Sequence, residues 1–583
     1  MMKRTLAFVG CLVLVLSLFA GCTTNTPTTA PTNAPATKAP TSAPTTAPTD
    51  GPTEAAKPEL GTLPLTTENK TITIGIPANQ LTENYETNLY TLFLEEQTGI
   101  NLEFMYFSSD STERKTQLNL MVASPDEKLP DILLAWDLGA TLRNELGQDG
   151  YLVDLTEYLE NDCYWLNEEM ALVDPLAKKN AYNLAKDPSS GAIYALPVVQ
   201  TNVGIDTVMT PAQINKTWLE KLGLEMPTTV SELHDVLVAF RDRDPNGNGI
   251  ADEIPLVGSQ TKWGDVTEYI INAYVFCCDF YRWNVKDGKV YSPYETDEYR
   301  EALKTLNAWY AEGLLSPLTF SIKKSAEAKA LNSPTEGQPE IVGCFMQHTT
   351  LAYETNNDVV DDYAALHALK AETPLGGYAP MGDYTYDFSA QITCDAEDPL
   401  LCFKLLDYMC NYEVFAFNRY GVPGQDWEWA PEEEWTVNNS GQPCRMKLID
   451  SSIFTEQNNT SWHTLTPKMW AKERGMNNIG STDPASWSAR RGAIARDAFN
   501  FNREAGIPDE VIFDLAYSEE EAEVRTEHLG GYTDYVDECR ATFIAGTMDP
   551  NSDADWNTYL ANLKAMGGEE LIKAIQSAYD RTK

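Results

Sequence analysis

Apolar and polar positions alternate through "TITIGIP" (Thr71–Pro77), and this period of two predicts a β-strand. "NLYTLFLEEQTG" (Asn88–Gly99) carries its apolar residues at helical spacing and closes on glycine, as many helices do. "INLEFMYF" (Ile100–Phe107) predicts a second strand, "STERKTQLNLMVAS" a helix, and "PDILLAWD" (Pro130–Asp137) a third, mostly apolar strand. "GAIYALPVV" (Gly191–Val199) predicts another. Strand alternating with helix argues for an α/β protein with a parallel sheet covered on both faces. Helical patterns then dominate. One runs through "TVSELHDVLVAFRDRD" from a capping-box start near Thr229, and a second through "TDEYREALKTLNAWYAEG". "IVGCFMQHT" (Ile341–Thr349) and "YDFSAQITC" (Tyr386–Cys394) predict strands, "DPLLCFKLLDYMCNYE" a helix, and the last hundred residues are mostly helical.

The N-terminus has a different pattern. Lys3 and Arg4 precede an apolar run, Leu6 to Ala20, and small residues lead to Cys22. This is a signal peptide, too short for a comfortable membrane span. Its ending "LFAGC" resembles a bacterial lipobox, with Phe19 where leucine is common, so Cys22 is expected to be diacylated and to become the mature N-terminus. An ordinary cleaved signal peptide is the alternative. "TTNTPTTAPTNAPATKAPTSAPTTAPTDGPTEAAKPE" follows. It lacks any large apolar side chain, so it is read as an extended, solvated tether reaching on the order of 100 Å.

The chain has 583 residues, enough for a large core and more than one lobe. Its formal charge is 43 − 86 = −43, which disfavours nucleic acid and anionic lipid surfaces. Nine of the 11 cysteines remain after Cys11 and Cys22 are set aside. Their spacing is irregular and contains no zinc-type CxxC, so most read as buried small apolar residues.

"DRDPNGNGIADEIPL" (Asp242–Leu256) crowds oxygen ligands into a dozen residues, as a hard cation requires. In one register, Asp242, Asp244, Asn246, Gly247 and Glu253 follow the EF pattern. In another, Asp244, Asn246, Asn248, the carbonyl of Ile250, Asp252 and Glu253 form a shorter loop. An EF loop takes its last glutamate from an exiting helix, but Pro255 and its branched neighbours do not start one. The second register is therefore favoured, with a structural Ca2+. A metal-free Asn-Gly turn is the simpler alternative.

The region "INKTWLEKLGLEMPTTVSELHDVLVAFRDRDPNGNGIADEIPL" (Ile214–Leu256) resembles the lipoprotein-type extracellular solute-binding proteins (family 1) of sugar ABC importers, relatives of alginate-oligosaccharide- and maltodextrin-binding proteins. "GAIYALPVV", "ITCDAEDPLLCFKLLDYM", "YGVPGQDWEW" (Tyr420–Trp429) and "DWNTYLANLKAMG" extend the likeness from about residue 66 to the end. The resemblance implies a two-lobed periplasmic-binding-protein-like fold of type II, maltodextrin-binding-like, with ligand between α/β lobes joined by crossing hinge strands. "ALPVVQTNV" would be the first crossing and "YDFSAQITC" the second. It also implies the calcium loop, and this partition: 1–21 signal peptide, 22–65 lipidated cysteine and tether, 66–196 lobe 1, 197–385 lobe 2 with the calcium loop at 242–255, 386–445 the return to lobe 1, and 446–583 mainly helical and mostly lobe 2.

A sugar site needs aromatic faces and planar polar groups. The expected cleft residues are Trp136 and Asp137 after the third strand, Gln347 and His348 after "IVGCFM", then Trp427, Trp429, Trp263, Gln200 and Asn79. Core packing is the competing use of each tryptophan. Arg490 and Arg491, beside Trp487, read as helix-face ion pairs more readily than as ligand contacts. The expected function is a lipid-anchored, extracytoplasmic carbohydrate receptor, for an oligosaccharide, delivering to ABC permease subunits. It is expected to be monomeric, to touch membrane only through its anchor and to bind no nucleic acid. A surface adhesion or scaffold lipoprotein also suits the tether. A secreted glycoside hydrolase would need two opposed carboxylates. No G-x-S-x-G, H-E-x-x-H, P-loop or G-x-G-x-x-G signature supports an enzyme.

Overall fold

The computed structural model describes residues 60–583 apart from 125, 174, 202–211, 261–263, 278–282, 324–326, 328–330, 332–338, 347–358, 374, 379–384, 438–442, 464, 466, 468–486 and 513. The signal peptide, Cys22, the tether, Trp263, Gln347 and His348 lie outside the described residues. The first twelve of the sixteen strands among the described residues are β1 Lys70–Pro77, β2 Ile100–Phe107, β3 Ile132–Leu134, β4 Val198–Thr201, β5 Ala212–Asn215, β6 Ile254–Val257, β7 Asn284–Lys286, β8 Lys289–Tyr291, β9 Val342–Met346, β10 Tyr363–Ala365, β11 Thr385–Asp387 and β12 Ala390–Ile392.

The first sheet has the order β12-β3-β1-β2. β1 pairs in parallel with β2 from Lys70↔Ile100 to Pro77↔Phe107 and with β3, and β12 runs antiparallel to β3. Period-two alternation sends Ile72, Ile74, Ile76, Ile132 and Leu134 into one core and Phe107 and Leu133 into another. The sheet is thus covered on both faces, as apolar strands of a parallel sheet require. Gly75 is needed on the second face, where a Cβ would stand 2.6 Å from the Pro130 ring.

The second sheet is mixed, in the order β10-β5-β9-β6, with β6 parallel to β9 and the other pairs antiparallel. Its main core also takes in the C-terminal helices Glu519–Ile544, Asp553–Ala565 and Gly568–Asp580 through Tyr532, Phe543, Tyr559 and Ile575. Between the sheets the chain crosses on β4 and returns on β11, and these two strands pair antiparallel with Val198 opposite Asp387.

The local readings hold where local chemistry decides. Asn88 caps the helix Leu89–Thr98 and Gly99 ends it at φ 74°. Thr229 and Glu232 form the reciprocal capping box of the helix Val230–Asp242. Three predicted strands are shorter than expected, the first being "PDILLAWD", of which only Ile132–Leu134 is strand before Ala135 turns to φ 63°. In "GAIYALPVV" only Val198 and Val199 lie in a strand, because upstream Asp187 gathers Ser189 and Ser190 into a turn, Ile193 makes an isolated bridge to Lys186, and Leu196 donates a single N–H to the Ala390 carbonyl of β12 at 2.9 Å. "YDFSAQITC" breaks at Phe388–Ser389, where the Ser389 carbonyl leaves the ladder to accept the Trp136 N–H at 2.9 Å. The C-terminal part also stays with the first lobe longer than expected, since Met446 and Trp462 are buried in the first core.

Candidate functional site

In α/β proteins, ligands sit beyond the carboxyl ends of the strands. β1 ends at Pro77 and β3 at Leu134. β12 begins opposite Leu134, and β11 closes just before it at Asp387, so the crossing ribbon abuts the carboxyl end of β3. Asp137 is exposed at that end, its Oδ1 accepting the Gly139 N–H at 3.0 Å. Asn79 stands half-buried past β1 and accepts the Leu81 N–H at 2.9 Å. Gln200 lies on the ribbon strand β4.

Two arginines back Asp137. Arg114 stacks its guanidinium 5.4 Å from the Trp136 ring centroid. Arg143 is 3% exposed, donates to the Leu184 carbonyl at 2.9 Å and lies 5.0 Å from the Phe388 ring. Burial pulls the Arg143 pKa down to about 10, against the pull of Asp137 and Asp187. A positive charge is therefore held under the ribbon beside an exposed carboxylate.

The tryptophans divide. Trp136 is 1% exposed, donates its indole N–H to the Gly75 carbonyl at 2.9 Å and meets Phe107 edge to face. Trp427 is 2% exposed and donates to the Gly421 carbonyl at 2.8 Å. Both serve the core, so the expectation that they present a face to sugar is corrected: a satisfied indole N–H and a fully packed ring leave nothing for a ligand. Trp429 is 41% exposed but stands on its own flank of the first lobe, stacked on Tyr412. Arg490 reaches Asp361 on a separate turn.

Sequence reasoning missed the segment that holds the loop after β1. Asn458 accepts the Glu83 N–H at 2.9 Å and donates its own N–H to the Leu81 carbonyl at 2.8 Å. The Asn459 side chain accepts the Asn84 N–H at 3.2 Å, and His463 Nε2 lies 3.0 Å from the Leu81 carbonyl. Burial lowers the His463 pKa, so the ring is neutral at pH 7. The only local signal is the turn-prone "NN" before a tryptophan, and nothing near it names a partner nearly 400 residues away.

The oxygen-rich loop leaves the helix Val230–Asp242 and enters β6, so a strand replaces the exit helix of an EF hand. Asp242 is engaged by Arg241 at 2.6 Å. Asp244 adopts φ 43° and accepts the N–H groups of Gly247, Asn248 and Gly249 at 3.0–3.1 Å. The Asn246 and Asn248 amides both donate to Asp252 at 3.1 Å, and the Ile250 N–H donates to Asn248 Oδ1 at 2.6 Å. Glu253 Oε1 is buried without a hydrogen-bond partner among the described residues. Burial first, then the charges of Asp244 and Asp252, raise the Glu253 pKa. No group of three or more His, Cys, Asp or Glu side chains converges as a metal site among the described residues. The loop's donors are instead carboxamides and carbonyls beside the carboxylates, and the orphaned Glu253 oxygen is what a bound cation would satisfy.

No family model matches the chain. It is 31% identical over 232 residues to the fructooligosaccharide ABC transporter substrate-binding protein FusA of Streptococcus pneumoniae, covering 39% of this chain and 41% of that one. It is 26% identical over 352 residues to lipoprotein LipO of Bacillus subtilis, covering 58% of this chain and 63% of that one. The chain thus matches less than two thirds of the length of either relative. Among solved structures, an extracellular solute-binding protein of Bifidobacterium longum subsp. infantis superposes with a TM-score of 0.65 at 22% identity, over 88% of this chain and 98% of that one. FusA in complex with kestose gives 0.58 at 20%, over 88% and 99%, and an EF-hand mutant of FusA gives 0.55. Sheet order, crossing ribbon and these superpositions show that the chain has the two-lobed type II fold of those solute-binding proteins.

Proposed function

We propose that the chain captures a carbohydrate, an oligosaccharide, outside the cell and delivers it to the permease of an ABC importer. The observation that carries this reading is the 31% identity to FusA, whose name states a fructooligosaccharide ligand. The paired crossing strands supply the hinge such a receptor needs, closing the lobes over the ligand. Cys22 would hold the protein on the outer face of the membrane through its lipid, with the Thr/Pro segment as tether. No helix among the described residues is long and apolar enough to cross a membrane. Asn79, Asp137 and Gln200 are the described residues of the proposed cleft, and Gln347, His348 and Trp263 are proposed for it from the sequence alone. The proposed lobe 1 comprises 66–196 and 386–445 together with the stretch to about 465, and the other described residues after 197 form lobe 2.

Calcium would be held by Asp244, Asn246, Asn248, the Ile250 carbonyl, Asp252 and Glu253, as a structural ion pinning the end of one helix to the start of β6. It supplies charge neutralisation there and takes no part in sugar capture.

The test is intrinsic tryptophan fluorescence and melting temperature of residues 60–583 with calcium, against an oligosaccharide panel that includes kestose. A micromolar response to one glycan class, with the glycan recovered intact, is expected. Turnover of the glycan would instead make the chain a glycosidase, and silence across the panel would favour the adhesion or scaffold reading.

A further inference from the structure

Trp429 is the one tryptophan among the described residues whose exposure reaches 41%. An isolated exposed tryptophan is unremarkable, but this one is built into a cavity of about 390 Å³ lined by Asn411, Tyr412, Glu413, Trp435 and Arg445. Its ring is held from two sides. Tyr412 lies nearly parallel at 5.8 Å and 10°, and buried Trp427 meets it edge-on at 5.2 Å. The backbone is fixed as well, since Trp429 pairs with Met446 in a short antiparallel ladder. Trp435 is anchored by its indole N–H to the Ala430 carbonyl at 2.9 Å and carries the Arg445 guanidinium 4.7 Å from its ring. Arg445 Nε is buried and has no hydrogen-bond partner among the described residues.

We infer that this cavity is a second carbohydrate site, separate from the proposed cleft, that takes the neutral sugar units of a glycan polymer. Rigid aromatic faces suit the C–H-rich side of a sugar ring, and Arg445, Glu413 and Asn411 can pair with its hydroxyls. An unsatisfied buried donor beside two aromatic rings is a cost that a hydroxyl oxygen would remove. Charge selects the class of glycan. Glu413 lines the cavity, Glu428 and Glu432–Glu434 lie close in sequence to Trp429 and Trp435, Lys447 is paired with Glu428 at 3.6 Å, and the whole chain carries −43, so uronates and phosphates are repelled.

The site is separate by position. Tyr412 opens the helix Tyr412–Tyr420, whose other end packs Tyr420 on Phe454, and Arg419 acts on the charge of His463 beside the loop after β1. About 12 Å of helix lies between the two ends. A polymer held here would keep a tethered receptor beside the material from which its small ligands are released.

The experiment is native gel electrophoresis of the whole chain through gels containing inulin, xylan or mixed-linkage β-glucan. Retardation by at least one neutral polymer is expected. Trp429→Ala and Arg445→Gln should each weaken it about tenfold, the cost of losing one aromatic contact. Asp137→Asn should leave it unchanged. Melting curves on the same variants confirm that they fold. Migration unaffected by every polymer, or retardation that survives Trp429→Ala, overturns the inference. Kestose binding measured in parallel keeps the two sites apart: it should persist in Trp429→Ala, and its absence from the parent chain would concern the cleft alone.

Discussion

Asp407 and Glu521 are buried carboxylates, one in each lobe's core region, and they are held in opposite ways. Asp407 accepts three backbone N–H groups, from Tyr164 at 2.9 Å, Trp165 at 3.2 Å and Leu166 at 2.8 Å, and so caps the helix Trp165–Met170 from a distance. Burial pushes its carboxyl above the ordinary value although those N–H groups pull it down. Glu521 closes a capping box with Ser518 and also takes the Arg581 guanidinium, Nη1 to Oε1 at 2.6 Å. Burial alone would raise its pKa, but Arg581, Ser577 and Ser518 together lower it to about 2. Asp407 is thus held by backbone N–H groups and Glu521 chiefly by an ion pair. Acid should distinguish them.

Four experiments bear on that contrast, beginning with the largest effect. Asp407→Ala orphans three N–H groups and should cost about 3 kcal/mol in urea unfolding. A loss below about 1 kcal/mol would mean that water replaces the carboxylate, and the contrast would fail on its first side. Calcium removal comes next. With the ion at a hundredfold its dissociation constant, a chelator should withdraw about 2.7 kcal/mol. Asp252→Ala should lower the melting temperature similarly, make it indifferent to chelator and leave oligosaccharide affinity nearly intact. Equal melting temperatures with and without chelator would remove the ion from the second lobe.

Glu521→Gln should cost about 1 kcal/mol at pH 7, because Arg581 is partly in solvent and the pair is screened. Its folded pKa lies below the ordinary 4.5, so its contribution is present above pH 4.5 and is lost as pH falls towards about 2. Asp407 has the opposite sign. Its folded value is raised, so its linkage contribution is present at low pH and is lost as pH rises through that value. The Gln variant should flatten the acid limb of the stability curve, and an unchanged limb would show that other carboxylates carry it. The smallest stability effect belongs to Asp137→Asn, exposed at the ribbon. It should change unfolding by no more than about 0.5 kcal/mol. Oligosaccharide affinity should fall about tenfold, and equal affinity would move the ligand away from β3.

Much of the second lobe's oxygen-rich loop was legible because its partners lie within a few residues. Asp244 bonds Gly247, Asn248 and Gly249, and the proline after Glu253 already spoke against an exit helix. The same holds for the Thr229 box and the Gly99 stop. The site was less legible. "LLAWD" and "DWEW" look alike in composition, yet Trp136 fills a core while Trp429 stands half in water.

The sequence by itself determined the strands β1 and β2, the caps of the helices Leu89–Thr98 and Val230–Asp242 and the loop after Asp242, because alternation, caps and turns act over one to four residues. Only the tertiary structure decided which tryptophan faces solvent, what steadies the loop after β1 and where a carboxylate finds its partner. Trp136 meets Gly75 across 61 residues, Trp462 donates to Thr91 across 371, and His463 meets Leu81 across 382. Burial and charge pairing depend on neighbours that the fold brings together, and no local pattern in a single chain names them.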